Sequence, residues 1–203
     1  MLFRSCPVII EVFCGSARVT ASLKELGLVE SFGVDHEVDK AIATAKKLDL
    51  TVREDQKIFK QWMKSPLVVG LFWVPPCGTC SLARNIQLRD SFGRKIPGPV
   101  PLRSPEFPEG LSGLRDKDRR RVSAANRLYE FLAEIIKEAV TMGLIIVVET
   151  PDHHFFGRLD FGSRLQSIFI TRPIRRVLTE ELDRNGQCLP GIIIVSVKSI
   201  CVA

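Results

Sequence analysis

Four short clusters in the 203-residue sequence hold the residue types from which a reactive site could be assembled. They are Cys14, Gly15 and Ser16; Asp35 and His36; Pro75, Pro76 and Cys77, with Cys80 three places on; and Glu149, Thr150 and Pro151. A turn of small residues such as 14–16 lets a ligand approach the backbone and the amides that open a following helix. Asp35, an acid about twenty positions downstream, has the spacing with which nucleoside and dinucleotide binders hold ribose hydroxyls. The dinucleotide pattern G-x-G-x-x-G is incomplete, because Ala17 and Thr20 stand at its later glycine positions. The spacing therefore favours a looser nucleoside site over NAD, with Phe13, Cys14, Gly15, Ser16, Asp35, His36 and Pro75 as candidate cofactor contacts.

The elements that must carry these clusters can be read from hydrophobic pattern. Residues 8–13, 31–34, 67–73 and 144–148 are nearly continuous apolar runs and read as buried strands, with 167–170 and 192–197 as one or two more. Helices are expected over 17–26, closed by Gly27, and over 37–48, 53–64 and 119–142. The last is the clearest, with apolar residues three and four apart from Val122 to Val140. Residues 86–118 break the pattern with interleaved prolines and glycines, and a stretch of that length without its own structure is a lid or is disordered. Apolar strands alternating with helices predict one α/β domain over 1–203, a Rossmann-like, mostly parallel sheet with helices on both faces. In such sheets ligands sit beyond the carboxyl ends of the strands, where each of the four clusters is expected.

Composition narrows the classes. Hydrophobic residues make up 45% of the chain and charged residues 26%, the balance of a globular domain with a core. No apolar run is long enough to span a bilayer, and the first ten residues lack a cleavage signal, so an intracellular protein, nuclear if eukaryotic, is expected. The net charge of +6 suits a polyanionic partner. Of six cysteines only Cys77 and Cys80 are close together, which is no secreted disulfide framework and leaves reduced thiols as the default.

Three of the clusters resemble, in order, motifs of cytosine-C5 DNA methyltransferases. The segment V-F-C-G-S at 12–16 is similar to their S-adenosylmethionine-binding motif, P-P-C-G-T-C-S-L-A at 75–83 to their nucleophile motif, and V-E-T-P at 148–151 to their Glu-Asn motif. The P-P-C-G-T form also resembles poorly characterised methyltransferase-like proteins associated with mobile elements. This resemblance implies a class I methyltransferase fold, S-adenosylmethionine as cofactor, and nucleic acid, DNA first, as substrate. It further implies that the Cys77 thiolate adds to the cytosine ring while Glu149 hydrogen-bonds it. Arg84 would lower the thiol's pKa, the 86–118 segment would cover a flipped base, and Arg115, Lys117 and Arg119–121 would contact phosphates. Departures are Thr150 in place of Asn, Gly78, Cys80 and Arg84 within the nucleophile motif, and no room for a target-recognition domain, which a partner or further segment would supply.

Other readings compete. An inactive methyltransferase-like module that binds nucleic acid or protein would tolerate these departures. The pair Cys77 and Cys80 also has the form of a thioredoxin-like redox C-x-x-C. A zinc deaminase needs an upstream H-x-E, and His36-Glu37 lacks the spacer; with His153 and His154 as the remaining candidates, no metal site is expected. Amino-group methylation lacks the polar and aromatic ends of its motif around 74–77.

Overall fold

Three alternating strand–helix units build the molecule from its amino end. The computed structural model describes residues 6–81, 84, 87–104, 106–151, 173 and 192–197. Strand β1 (Val8–Val12) feeds helix α1 (Arg18–Glu25), followed by β2 (Phe32–Asp35) and β3 (Ala45–Lys47). Helix α2 (Arg53–Met63), β4 (Val68–Trp73), α3 (Asp116–Thr141), β5 (Ile145–Pro151) and β6 (Ile192–Val197) complete the order. The strands form one sheet in the order β3-β2-β1-β4-β5-β6, with every pairing parallel. Because the strand order reverses between β1 and β4, the connections leave β1 in opposite directions. Right-handed crossovers then put α1 on one face and α2 and α3 on the other. The Rossmann-like parallel α/β fold expected from the alternation is the fold observed.

The core lies mainly between the sheet and the α2–α3 face. Ile10, Val12, Leu71, Trp73, Ile146 and Val148 project there from three adjacent strands and are almost wholly buried. Trp73 is its centre. Its ring meets Phe13, Phe59 and Phe131 at centroid distances of 5.5, 5.8 and 6.0 Å, mostly edge to face, the arrangement aromatic quadrupoles favour. Phe59 comes from α2 and Phe131 from α3, so one indole ties both helices to β4. Lys60 of α2 adds ion pairs to Glu134 and Glu138 of α3 on the outer side.

On the opposite face β1 carries a buried acid. The Glu11 carboxylate accepts the backbone N–H and the hydroxyl of Thr20, both at 2.7 Å. Thr20 is the third residue of α1, whose cap residue Ala17 offers no side-chain bond of its own. The strand therefore caps the helix with a carboxylate at its positive end.

Two expectations are corrected. Residues 37–48 do not form a helix: a turn at 39–40 leads into β3, because the outer edge of β2 needs partners. The Gly33 N–H donates to Thr44 O and the Leu48 N–H to Asp35 O, each within 2.9 Å. Sheet pairing thus overrides the helix propensity of the alanines. Strand β5 also runs past 148, so Glu149, Thr150 and Pro151 pair with Val195, Ser196 and Val197 inside the sheet. The expected strand at 167–170 lies outside the described residues. Among the described residues no helix is long and apolar enough to cross a membrane.

The cap from β1 to α1 makes a stability prediction. Glu11→Leu leaves the Thr20 N–H and hydroxyl buried without an acceptor and should cost about 1–3 kcal/mol, while Glu11→Gln keeps an acceptor oxygen and should cost less. Urea unfolding of the two variants checks this; equal stability of Glu11→Leu and the parent would contradict it.

Candidate functional site

A cavity of about 560 Å³ opens beyond the carboxyl ends of β1, β2 and β4. Phe13, Asp35, His36, Pro75 and Cys77, all singled out by the sequence, line it together. Its size falls in the range of small-molecule sites.

The turn after β1 is shaped by backbone geometry that side chains resist. Phe13, Gly15 and Ala17 have φ of 61°, 51° and 55°, and two of the three are not glycine. Such strain persists only where surrounding contacts over-determine it. One of those contacts is Asp35: its Oδ2 accepts the Gly15 N–H at 2.8 Å, and its Oδ1 accepts the His36 N–H at 2.7 Å. The His36 Nδ1 also lies 2.7 Å from Oδ1, which fixes the ring against the carboxylate. Asp35 is 8% exposed, so a nearly buried carboxylate stands at the cavity wall with its donors already arranged around it.

Three other candidates from the first turn sit differently. Cys14 is buried, and its side chain packs into the space above Gly33, where a Cβ would come within 2.6 Å of its sulfur. Burial, with the charges of Asp35 and Glu11 adding to it, pushes the Cys14 thiol up to about 11. Gly15 and Ser16 contribute backbone and do not line the cavity.

The far wall holds residues that the sequence reading passed over. Leu48, Asp49, Leu50 and Thr51 follow β3, and Ala124 and Leu128 come from α3. Asp49 Oδ1 accepts the Thr51 N–H at 2.9 Å and hydroxyl at 2.7 Å. Partial burial opposes them, yet these bonds, aided by His36 and Arg127, hold the Asp49 carboxyl below its ordinary value. The signal was the polar pair Asp49 and Thr51 after an apolar residue, hidden once 37–48 was read as helix.

Around Cys77 the chain makes one tight turn, with the Cys80 and Ser81 N–H groups both donating to the Cys77 carbonyl. Cys77 is half-buried and faces the cavity, whereas Cys80 points into the core, 3.5 Å from the Tyr129 hydroxyl, which donates to Pro76 O. Both side chains are reduced thiols. Arg84 donates through Nε to the Gly78 carbonyl and through Nη1 to Val100 O, so its hydrogen bonds hold the loop. A second arginine lies in the Pro-Leu-Arg-Ser stretch at 101–104, to which the sequence assigned no role. Arg103, 1% exposed, donates to Thr79 Oγ1, Pro108 O and Asn126 Oδ1 beneath the Tyr129 ring, and fastens the long segment to α3. Residues 87–104 and 106–115 are irregular but anchored.

Glu149 is not part of the cavity that Cys77 lines. It lies one position beyond the partner of Trp73, the last residue of β4. Alternation along β5 sends its carboxyl to the Glu11 face. Burial, then the Glu11 charge, raises its pKa. Of the two expected catalytic residues, Cys77 lines this cavity and Glu149 does not. Among the described residues no three His, Cys, Asp or Glu side chains cluster closely enough to hold a metal ion; His153 and His154 lie outside them.

No protein-family model and no curated protein sequence matches the chain. Solved structures do. A Burkholderia multivorans protein assigned as a short-chain alcohol dehydrogenase has a TM-score of 0.50 at 11% identity, covering 94% of this chain and 81% of its own. 4-Hydroxyisoleucine dehydrogenase, solved with NADH, scores 0.47 at 11% identity and covers 94% and 73%. Thermoplasma acidophilum aldohexose dehydrogenase scores 0.47 at 11% identity and covers 94% and 64%. At such identity the likeness is one of fold. The expectation of a cytosine-C5 DNA methyltransferase, with S-adenosylmethionine as cofactor and methylation of DNA as activity, is corrected by the neighbour at TM-score 0.50, which is assigned as a dehydrogenase.

The thiol environments predict an order of alkylation. At pH 8 iodoacetamide should modify Cys77 while sparing Cys14 and Cys80, and Cys14 should gain reactivity only as pH approaches about 11. Peptide mass mapping reads the order; Cys14 modified alongside Cys77 at pH 8 would contradict the placement.

Proposed function

We propose that this chain is an oxidoreductase that uses an adenosine-containing cofactor of the nicotinamide dinucleotide type, with the adenosine half in the cavity beyond β1, β2 and β4. The observation that carries this reading is the Asp35 carboxylate, nearly buried at the end of β2 and aligned by the Gly15 and His36 amides. A carboxylate there accepts the 2′-hydroxyl of a ribose, here through the lone pair left on Oδ2, and its charge disfavours a 2′-phosphate. Phe13 and Pro75 supply apolar walls for a purine, and the stretch at 48–51 supplies backbone for its edge.

The fit differs between the two halves of such a cofactor. The adenosine half meets a ready cavity. The diphosphate would lie along 15–18, where α1 has no acidic residue in its first turn and begins with Arg18. Glu11 already takes the deeper Thr20 N–H, so the outer amides and Arg18 would hold the phosphates. When bound, the nicotinamide supplies hydride transfer.

Titration of the protein with NADH, followed by fluorescence, tests the reading. NADH should bind at least tenfold more tightly than NADPH, and Asp35→Ala should weaken NADH by roughly tenfold or more, the scale of losing charge-assisted hydrogen bonds. No NADH binding by the folded chain, or preferential binding of S-adenosylmethionine, would overturn it.

A further inference from the structure

The segment between the Cys77 turn and α3 holds a small structure that the cofactor site does not use. Residues 88–96 form a hairpin. The Ile96 N–H donates to Leu88 O at 3.1 Å, Arg89 and Lys95 pair as an antiparallel bridge, and the Asp90 N–H donates to Arg94 O at 2.9 Å. Its tip is fixed by polar groups alone. Asp90 Oδ1 accepts the N–H groups of Phe92 and Arg94, both at 2.9 Å, while Oδ2 accepts Arg94 Nε at 2.9 Å. The Arg89 guanidinium donates to Gly93 O at 2.7 Å, and Gly93, at φ +79°, closes the turn.

Two features of this hairpin are costly in isolation. Phe92 is 80% exposed at the tip, although the turn needs no apolar residue for its own stability. The Arg94 guanidinium lies 5.1 Å from the ring centroid and leaves most of the ring open. Secondly, Arg89 and Lys95 stand directly opposite each other, where like charges repel. The acid nearest them in sequence, Asp90, has both oxygens engaged at the tip. A stiff turn thus presents a flat apolar ring among three cations and one acid, residues Arg89, Arg94 and Lys95 against Asp90.

We infer that the 88–96 hairpin is a docking site for single-stranded nucleic acid, with a base stacked on Phe92 and backbone phosphates on Arg89, Arg94 and Lys95. A single-stranded polynucleotide alternates flat rings with phosphates, which is the pattern the tip displays. Phosphates neutralise the repulsion across the bridge, and the rigid turn loses little entropy on binding. An anionic membrane surface also takes aromatic and basic residues, but it rewards several apolar side chains inserted together, and one ring stands at this tip, with the partly exposed Leu88 and Ile96 set back at the base of the hairpin. Nothing in this docking site depends on the cofactor reading.

Fluorescence anisotropy of labelled oligo-dT and oligo-U twelve-mers on the full chain tests it, with Phe92→Ala, Phe92→Trp and Arg89→Ala/Lys95→Ala as variants. Phe92→Ala should weaken binding by about tenfold, the scale of one missing stacking partner, with no change in melting temperature, and Phe92→Trp should retain it. The double variant should flatten the salt dependence by about 0.7 in log–log slope for each phosphate it no longer neutralises. Binding of either oligonucleotide with this dependence on Phe92 supports the site and shows which sugar it prefers. Absence of binding to both at low salt, binding indifferent to Phe92→Ala, or capture by phosphatidylserine vesicles in place of oligonucleotides would each overturn it.

Discussion

The hydrogen bond from the Gly15 amide to Asp35 is the constraint on which the site depends. It joins the end of β2 to the turn after β1, the two elements that any ligand at this edge of the sheet must touch. The Phe13 and Cys14 amides also reach β2, but both donate to the Val34 carbonyl and leave the carboxylate untouched. The Gly15 bond is the one that ties a turn with three residues at positive φ to the acid itself. With it, the carboxylate is held still, nearly out of water, and aimed at a cavity whose remaining walls are largely apolar or backbone. On the neighbouring strand Glu11 has the matching role, securing the start of α1. Two acids on adjacent strands thus do different work: one is consumed inside the fold, and the other keeps lone pairs at the cavity.

Packing explains why these polar ties sit where they do. Trp73 fills the centre of the α2–α3 face, and its contact with Phe13 reaches to the first turn. Phe13 belongs to both core and cavity, which couples the strained turn to the aromatic cluster. On the other side of Cys77, Arg103 and Tyr129 bind the Thr79 hydroxyl and the Pro76 carbonyl, so the turn after β4 is also anchored from below. The cavity is therefore bounded by segments that are irregular in form but fixed by buried hydrogen bonds.

Much of this was legible in the residues. Strands β1, β2, β4 and β5 were visible because a strand buried on both faces must be apolar along its length, and the clusters at their ends lie along the edge of the sheet where the cavity opens. The spacing from Gly15 to Asp35 was visible as that of two ligand contacts; the hydrogen bond between them was not. Strand β3 was not visible: Ala45, Lys46 and Lys47 favour a helix locally, and only the unpaired edge of β2 makes them extended. Asp49 and Thr51 were lost with it. Arg103 had no role assigned from the sequence, since nothing local shows that Thr79, Pro108 and Asn126 converge on it. The resemblance to cytosine methyltransferases rested on short motifs at strand ends. Such motifs mark where an α/β sheet binds its ligand more securely than they mark which ligand it binds.

The most direct test of the central claim is a two-dimensional amide NMR titration of the labelled chain with adenosine. The account predicts that the Gly15, His36 and 49–51 amides shift together and saturate, with the Asp35→Ala protein losing those shifts while keeping its dispersed spectrum. Shifts elsewhere, or none at millimolar adenosine, would contradict it.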